Sequence, residues 1–142
     1  MVFVDSSGFI AAFDARDAAH PPTAAAWRQI AKGRERLVTT QLVLAETVTH
    51  LRRRGGWDLS LRAGAAILDS ALIEVVGLDT EQLAAAWREF VRNPDPKLSL
   101  CDAASFIVMR DRRVRRALTL DRHFVAAGFD VMPRGFSKRG ER

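Results

Sequence analysis

Short apolar runs alternate along this chain with longer segments of helical spacing. Val2-Phe3-Val4, Leu37-Val38-Thr39-Thr40, Leu72-Ile73-Glu74-Val75-Val76 and Arg116-Ala117-Leu118-Thr119-Leu120 are β-branched or bulky and predict four strands. Phe129-Asp130-Val131-Met132 predicts a fifth, at an edge, ending before Pro133. The intervening segments predict helices. The first holds Phe9 to Phe13, with Asp5 or Ser6 as N-cap. An Ala-rich helix follows a His20-Pro21-Pro22-Thr23 loop and ends at Gly33. A helix from Gln41 to Arg54 is stopped by Gly55-Gly56, and another covers about Leu59 to Ser70. Thr80 to about Val91, capped by Asp79 or Thr80, is next. Then come a helix from Cys101 or Asp102 to Arg112 and a short one holding Phe124 and Val125. Asn93-Pro94-Asp95-Pro96 predicts a loop. Strand–helix alternation calls for an α/β fold: a three-layer α/β/α sandwich around a mostly parallel sheet of four or five strands.

Composition narrows the class without deciding it. The 142 residues suit one domain, and 48% hydrophobic with 27% charged residues is ordinary for a soluble globular chain. No apolar stretch approaches the roughly 20 residues a membrane span needs. Cys101 is the single cysteine, so an internal disulfide is excluded, and a reducing cytoplasm is the expected location. The net charge of +5 tilts toward a polyanionic partner. The cations cluster at Arg52-Arg53-Arg54, at Arg110 to Arg116, and at Arg134, Lys138, Arg139 and Arg142. Any one cluster reads as solvated helix-end cations; together they point to nucleic acid or an acidic protein. Residues 1–133 are expected to form the domain, and 134–142 a basic, mobile tail.

The candidate chemistry lies in four acids. Asp5 ends the first strand, Asp102 opens a helix and Asp121 follows the fourth strand, at the mouth where ligands bind in open α/β sheets. Each of the three could instead be a helix cap. Glu46 differs: it lies inside a helix whose apolar stripe runs through Leu44, Val48 and Leu51, and periodicity alone makes it a solvated residue. Asp14, Asp17, Glu35, Asp58, Glu74 and Glu81 read as loop, cap or solvent-facing positions. Asp95, flanked by prolines, can approach the site but reads first as a turn residue. His20, His50 and His123 have no zinc spacing with Cys101, which itself reads as a small core residue. Trp27, Trp57 and Trp87 read as core or interface rather than base-stacking residues.

Val2-Phe3-Val4-Asp5-Ser6-Ser7, Thr40-Gln41-Leu42-Val43-Leu44-Ala45-Glu46, Leu98-Ser99-Leu100-Cys101-Asp102-Ala103 and Leu118-Thr119-Leu120-Asp121-Arg122-His123-Phe124 together resemble a PIN domain. In size and motif order the chain is similar to VapC-type toxins of toxin–antitoxin pairs, over about Val2 to Val131. The resemblance implies that Asp5, Glu46, Asp102 and Asp121 surround one or two Mg²⁺ ions, with Mn²⁺ as a possible substitute. It implies supporting roles for Ser6 and Thr119. It also implies a homodimer, and a VapB-like antitoxin as partner. Mg²⁺ prefers oxygen ligands and keeps several waters, so a few carboxylates suffice. It would also offset the repulsion that otherwise raises their pKa values.

The resemblance implies a Mg²⁺-dependent endoribonuclease toxin whose cleavage leaves a 5′-phosphate and a 3′-hydroxyl. Arg52, Arg53 and Arg54 are candidate RNA contacts. Two alternatives stay open. One is a catalytically silent RNA-binding regulator, against which stands the presence of all four acids. The other is a PIN-like DNA or flap nuclease, against which stands the lack of an insertion long enough for a helical arch.

Overall fold

In the computed structural model, which describes residues 1–135, five strands form one sheet in the order β3-β2-β1-β4-β5. They are β1 (Val2–Val4), β2 (Leu37–Thr40), β3 (Ile73–Val76), β4 (Arg116–Leu118) and β5 (Asp130–Met132). Every pairing is parallel, including the fifth, edge strand. The central strand β1 is buried along its length, as a strand covered by helices on both faces must be. The predicted elements are present, with shifts at several boundaries. The fourth strand stops at Leu118 rather than Leu120, although the Thr119 N–H still donates to the Met132 carbonyl oxygen at 3.0 Å.

The helices are α1 (Ser6–Phe13), α2 (His20–Lys32), α3 (Gln41–Leu68), α4 (Thr80–Arg92), α5 (Leu100–Asp111) and α6 (Arg122–Ala126). His20-Pro21-Pro22-Thr23 is not a loop: it is the first turn of α2, with proline at the opening positions. Proline is tolerated there because those N–H groups have no helical partner. The expected break at Gly55-Gly56 is a kink rather than a gap. Gly56, at φ 85° and ψ −177°, takes a conformation L-residues rarely adopt, and helical structure resumes directly after it.

Buried side chains from β1 to β4 and from α1, α2, α3, α5 and α6 make the main core, in which Phe124 packs edge-on to Phe106 with ring centroids 4.9 Å apart. Gly8 decides how closely α1 sits on the sheet. A Cβ at this position would lie 2.3 Å from the Leu118 carbonyl oxygen, so only glycine allows the helix to rest on the end of β4. That approach brings the first turn of α1 against the residues that follow β4.

α4 and α5 run antiparallel. Asp79 and Gln82 form a reciprocal cap at the start of α4, and the Gln82 amide donates to Asp111 at the far end of α5. Of the three tryptophans, Trp27 packs against the core, beside Phe9, whereas Trp57 is 59% and Trp87 54% exposed, which leaves only the interface reading for those two. No helix among the described residues is long and apolar enough to cross a membrane. Of the expected basic tail, residues 136–142 lie outside the described part.

Candidate metal centre

β1 and β4 are neighbours, so the residues that follow them, Asp5 and Thr119 to Asp121, emerge side by side at one end of the sheet. Asp5 holds the N-cap position of α1, but its side chain makes no capping bond. Its carboxylate is turned inward and is 2% exposed. Oδ2 accepts from the Thr119 hydroxyl at 2.9 Å and the Ser7 hydroxyl at 2.9 Å. Oδ1 is buried with no hydrogen-bond partner. A carboxylate oxygen left without a donor inside a protein is costly, and it marks a place that a cation would complete.

The hydroxyls knit the two strand ends together. Ser7 Oγ accepts from the Leu120 N–H at 2.9 Å, and Thr119 Oγ1 accepts from the Asp121 N–H at 3.0 Å. Ser7, rather than the expected Ser6, is the serine whose hydroxyl is bonded to Asp5. Ser7 is the residue that the sequence did not single out. Its signal was present in the Asp5-Ser6-Ser7 run, but nothing local ranks one serine above the other.

Asp102 lies at the third position of α5, where it forms a capping box with Ser99: the Ser99 N–H donates to its Oδ2 at 2.9 Å. It is therefore a helix-capping residue and a site residue at once. Glu46 is exposed on α3, as periodicity predicts, yet its charge acts on the Cys101 thiol and on Asp102. The structure thus brings all four acids to one region.

The electrostatics follow from that crowding. Burial, and then the charge of Asp102, push the Asp5 carboxyl up to about 7, against the pull of the Ser7 and Thr119 hydrogen bonds. Burial is also the main cause of the rise of Asp102 to about 6; its Ser99 bonds oppose this, while Asp121 and Glu46 add to it. Burial and the neighbouring carboxylates push the Cys101 thiol up as well, which makes it a poor nucleophile.

Asp121 caps α6 by accepting from the His123 N–H at 2.8 Å. The His123 ring continues the network: Nδ1 lies 2.7 Å from Asp121 Oδ1 and Nε2 lies 2.9 Å from Asp95 Oδ2. Asp95 keeps its expected turn role, accepting from the Lys97 N–H at 2.9 Å, and also reaches the site through His123. Burial alone would lower the His123 pKa, but Asp95 and Asp121 outweigh it and raise it. One ligand atom each from Asp102, Asp121 and His123 lie within 4.8 Å of one another.

Arg52, Arg53 and Arg54 are exposed on the same helix as Glu46, some six to eight residues further along, or roughly 9–12 Å at 1.5 Å per residue. The Arg110–Arg116 cluster lies elsewhere. It surrounds the start of β4, the opposite end of that strand from the acids. Three of its members are paired: Arg110 with Glu89, Arg112 with Glu74 and Arg116 with Glu35.

Residues 2–130 match the PIN domain. The chain belongs to the PIN-domain family. Among curated PIN relatives, the 23S rRNA-specific endonuclease VapC20 of Mycobacterium tuberculosis, from strains CDC 1551 / Oshkosh and H37Rv, is 37% identical over 135 residues. The match spans 94% of this chain and 99% of the relative. The crystal structure of M. tuberculosis VapC20, described as a Sarcin-Ricin loop cleaving toxin, superposes with a TM-score of 0.83 at 35% identity. It covers 91% of this chain and 96% of that one. PIN nucleases use divalent metal, and the acids gathered here are compatible with it.

Proposed function

We propose that this PIN protein is the toxin of a type II toxin–antitoxin pair and acts as a Mg²⁺-dependent endoribonuclease, with Asp5, Glu46, Asp102 and Asp121 as the site. The observation that carries the reading is the buried Asp5 oxygen without a donor, beside a second buried carboxylate. Such a pair is unfavourable when empty and is completed by a hard cation. Asp5, Asp102 and Asp121 would hold the ion, with Glu46 at the rim; Mn²⁺ fits the same oxygen donors. When bound, a divalent ion makes a coordinated water a better nucleophile and neutralises charge on the phosphate.

The remaining work falls to the protein. Ser7 and Thr119 orient Asp5 by holding its Oδ2, which leaves the buried Oδ1 without a donor. Ser99 fixes Asp102, and Thr119 also holds the backbone at Asp121. Glu46, being exposed, is the acid best placed to meet water or substrate from solvent. No protein nucleophile is required, which accords with the raised Cys101 thiol. Arg52 to Arg54 are proposed to contact the RNA backbone. VapC20 is named for 23S rRNA and the Sarcin-Ricin loop; ribosomal RNA is accordingly the first substrate to test.

A VapB-like antitoxin and a second copy of the chain are the proposed protein partners. Exposed apolar side chains provide surface for them, in one group at Trp57, Leu61 and Leu68 and in another at Leu83, Trp87 and Val91 along one face of α4. The deciding experiment maps RNA ends after expression of the parent chain beside Asp5→Asn. New ends carrying 5′-phosphates are expected with the parent, absent with the variant and abolished in vitro by EDTA. Binding of RNA without cleavage, insensitive to EDTA across ribosomal and transfer RNA, would favour the silent regulator instead.

A further inference from the structure

His123 lies at the junction of two acid-bearing segments. Its ring is buried to 9% exposure between Asp121, at the start of α6, and Asp95, in the loop that leads to α5 and Asp102. Both ring nitrogens face carboxylate oxygens, Nδ1 at 2.7 Å and Nε2 at 2.9 Å. The Asp121 oxygen that meets Nδ1 also accepts the His123 backbone N–H at 2.8 Å. The backbone N–H and Nδ1 of one residue therefore both meet Asp121 Oδ1 and set the direction of its other oxygen. Asp95 is anchored in turn by the Lys97 N–H, and Arg122 stands 3.8 Å from it.

We propose that His123, held by Asp95, is a positioning residue for the metal centre: it orients the Asp121 carboxylate and ties the loop before α5 to the loop before α6. The inference rests on the metal-site reading above and adds residues to it. A direct ligand role is disfavoured by the same geometry, because neither ring nitrogen is left free for an ion. The physical need is clear. Asp102 and Asp121 repel each other, and a short, partly exposed carboxylate would turn away unless something holds it. Partners of this kind, one bond removed from the ion, typically govern metal affinity by about 10–100-fold.

Mn²⁺ binding to RNA-free protein, followed by electron paramagnetic resonance, tests the proposal alongside melting curves in EDTA. His123→Ala is expected to weaken Mn²⁺ binding about 10–100-fold. Asp95→Asn, which touches no ligand oxygen, is expected to weaken it in the same direction. His123→Asn, whose amide can replace the Nδ1 donor to Asp121, is expected to recover part of the loss. Unchanged Mn²⁺ affinity in both Asp95→Asn and His123→Ala overturns the proposal. So does a loss in His123→Ala with no effect of Asp95→Asn and no recovery in His123→Asn, the pattern of a direct ligand. Should His123→Ala fail to fold, the other two variants decide. A parent protein that neither binds Mn²⁺ nor cleaves RNA removes the nuclease reading and this inference with it. A parent that does both, beside variants that bind equally well, removes the inference alone.

Discussion

Thr119 donates its hydroxyl to Asp5 Oδ2 across 2.9 Å, although 114 positions separate the two residues in the chain. The bond exists because β1 and β4 are adjacent and parallel, so both strands release their next residues at the same end of the sheet. Thr119 also accepts from the Asp121 N–H and lies 3.2 Å from the Ser7 hydroxyl. One side chain thereby links the first acid to the last. Thr119→Val, which keeps the shape and removes the hydroxyl, is expected to lower cleavage by about 10–100-fold with little change in fold. Combined with Ser7→Ala, the losses should be non-additive in a double-mutant cycle, since both hydroxyls serve one oxygen. Strict additivity would show that they act separately.

Asp5→Asn removes a charge that is buried beside Asp102. Cleavage is expected to fall by at least about 100-fold, beyond the range usual for an outer partner. In EDTA at pH 8 the variant should nevertheless melt above the parent, because the parent must hold two ionised, repelling carboxylates without a cation. Thermal denaturation of both proteins checks the sign, and a variant that melts lower would count against the burial argument.

The pH dependence follows from the same pair. Asp5 is raised to about 7 and Asp102 to about 6, both above the ordinary value of 3.8. Between about pH 4 and 7 the folded metal-free state binds more protons than the unfolded chain, so its stability falls as pH rises. The favourable contribution is complete below pH 4 and is lost as pH passes through 6 to 7. Added Mg²⁺ should flatten that fall and stabilise the protein most at the alkaline end. Melting temperatures across this window, with EDTA and with Mg²⁺, provide the measurement.

The Cys101 thiol is pushed up by burial and by the surrounding acids, Glu46 first among them. Cys101→Ala should therefore retain cleavage within a small factor, while Glu46→Gln lowers it. Thiol labelling of the native parent should be slow at pH 8 and fast after unfolding. Loss of cleavage in a folded Cys101→Ala protein would reopen a thiol mechanism.

Gly8 is expected to be intolerant of any side chain. The Cβ of Gly8→Ala would meet the Leu118 carbonyl oxygen at 2.3 Å, and backbone on both sides leaves little room to yield. A loss of roughly 1–3 kcal/mol is expected from overpacking, read by urea denaturation. Because α1 carries Ser7 against β4, activity should fall alongside stability.

The order of apolar runs and helical segments, written in the sequence, determined an α/β fold with a parallel sheet and placed Asp5 and Asp121 beyond strand ends. Those features are local: a buried run of three to five residues, a turn signal, and the helix pattern after it. What the sequence could not determine was which side chains meet. The strand order β3-β2-β1-β4-β5 decided that Ser7 rather than Ser6 faces Thr119 and Asp5. The packing of α3 against α5 brought Glu46 to Cys101, although its own helix offers it only to solvent. The loop before α5 carried Asp95 to His123, and the direction of β4 placed the Arg110–Arg116 cluster away from the acids. Each of these depends on contacts between distant segments. Periodicity reports only the face of its own element, and the three-dimensional packing chooses what that face touches.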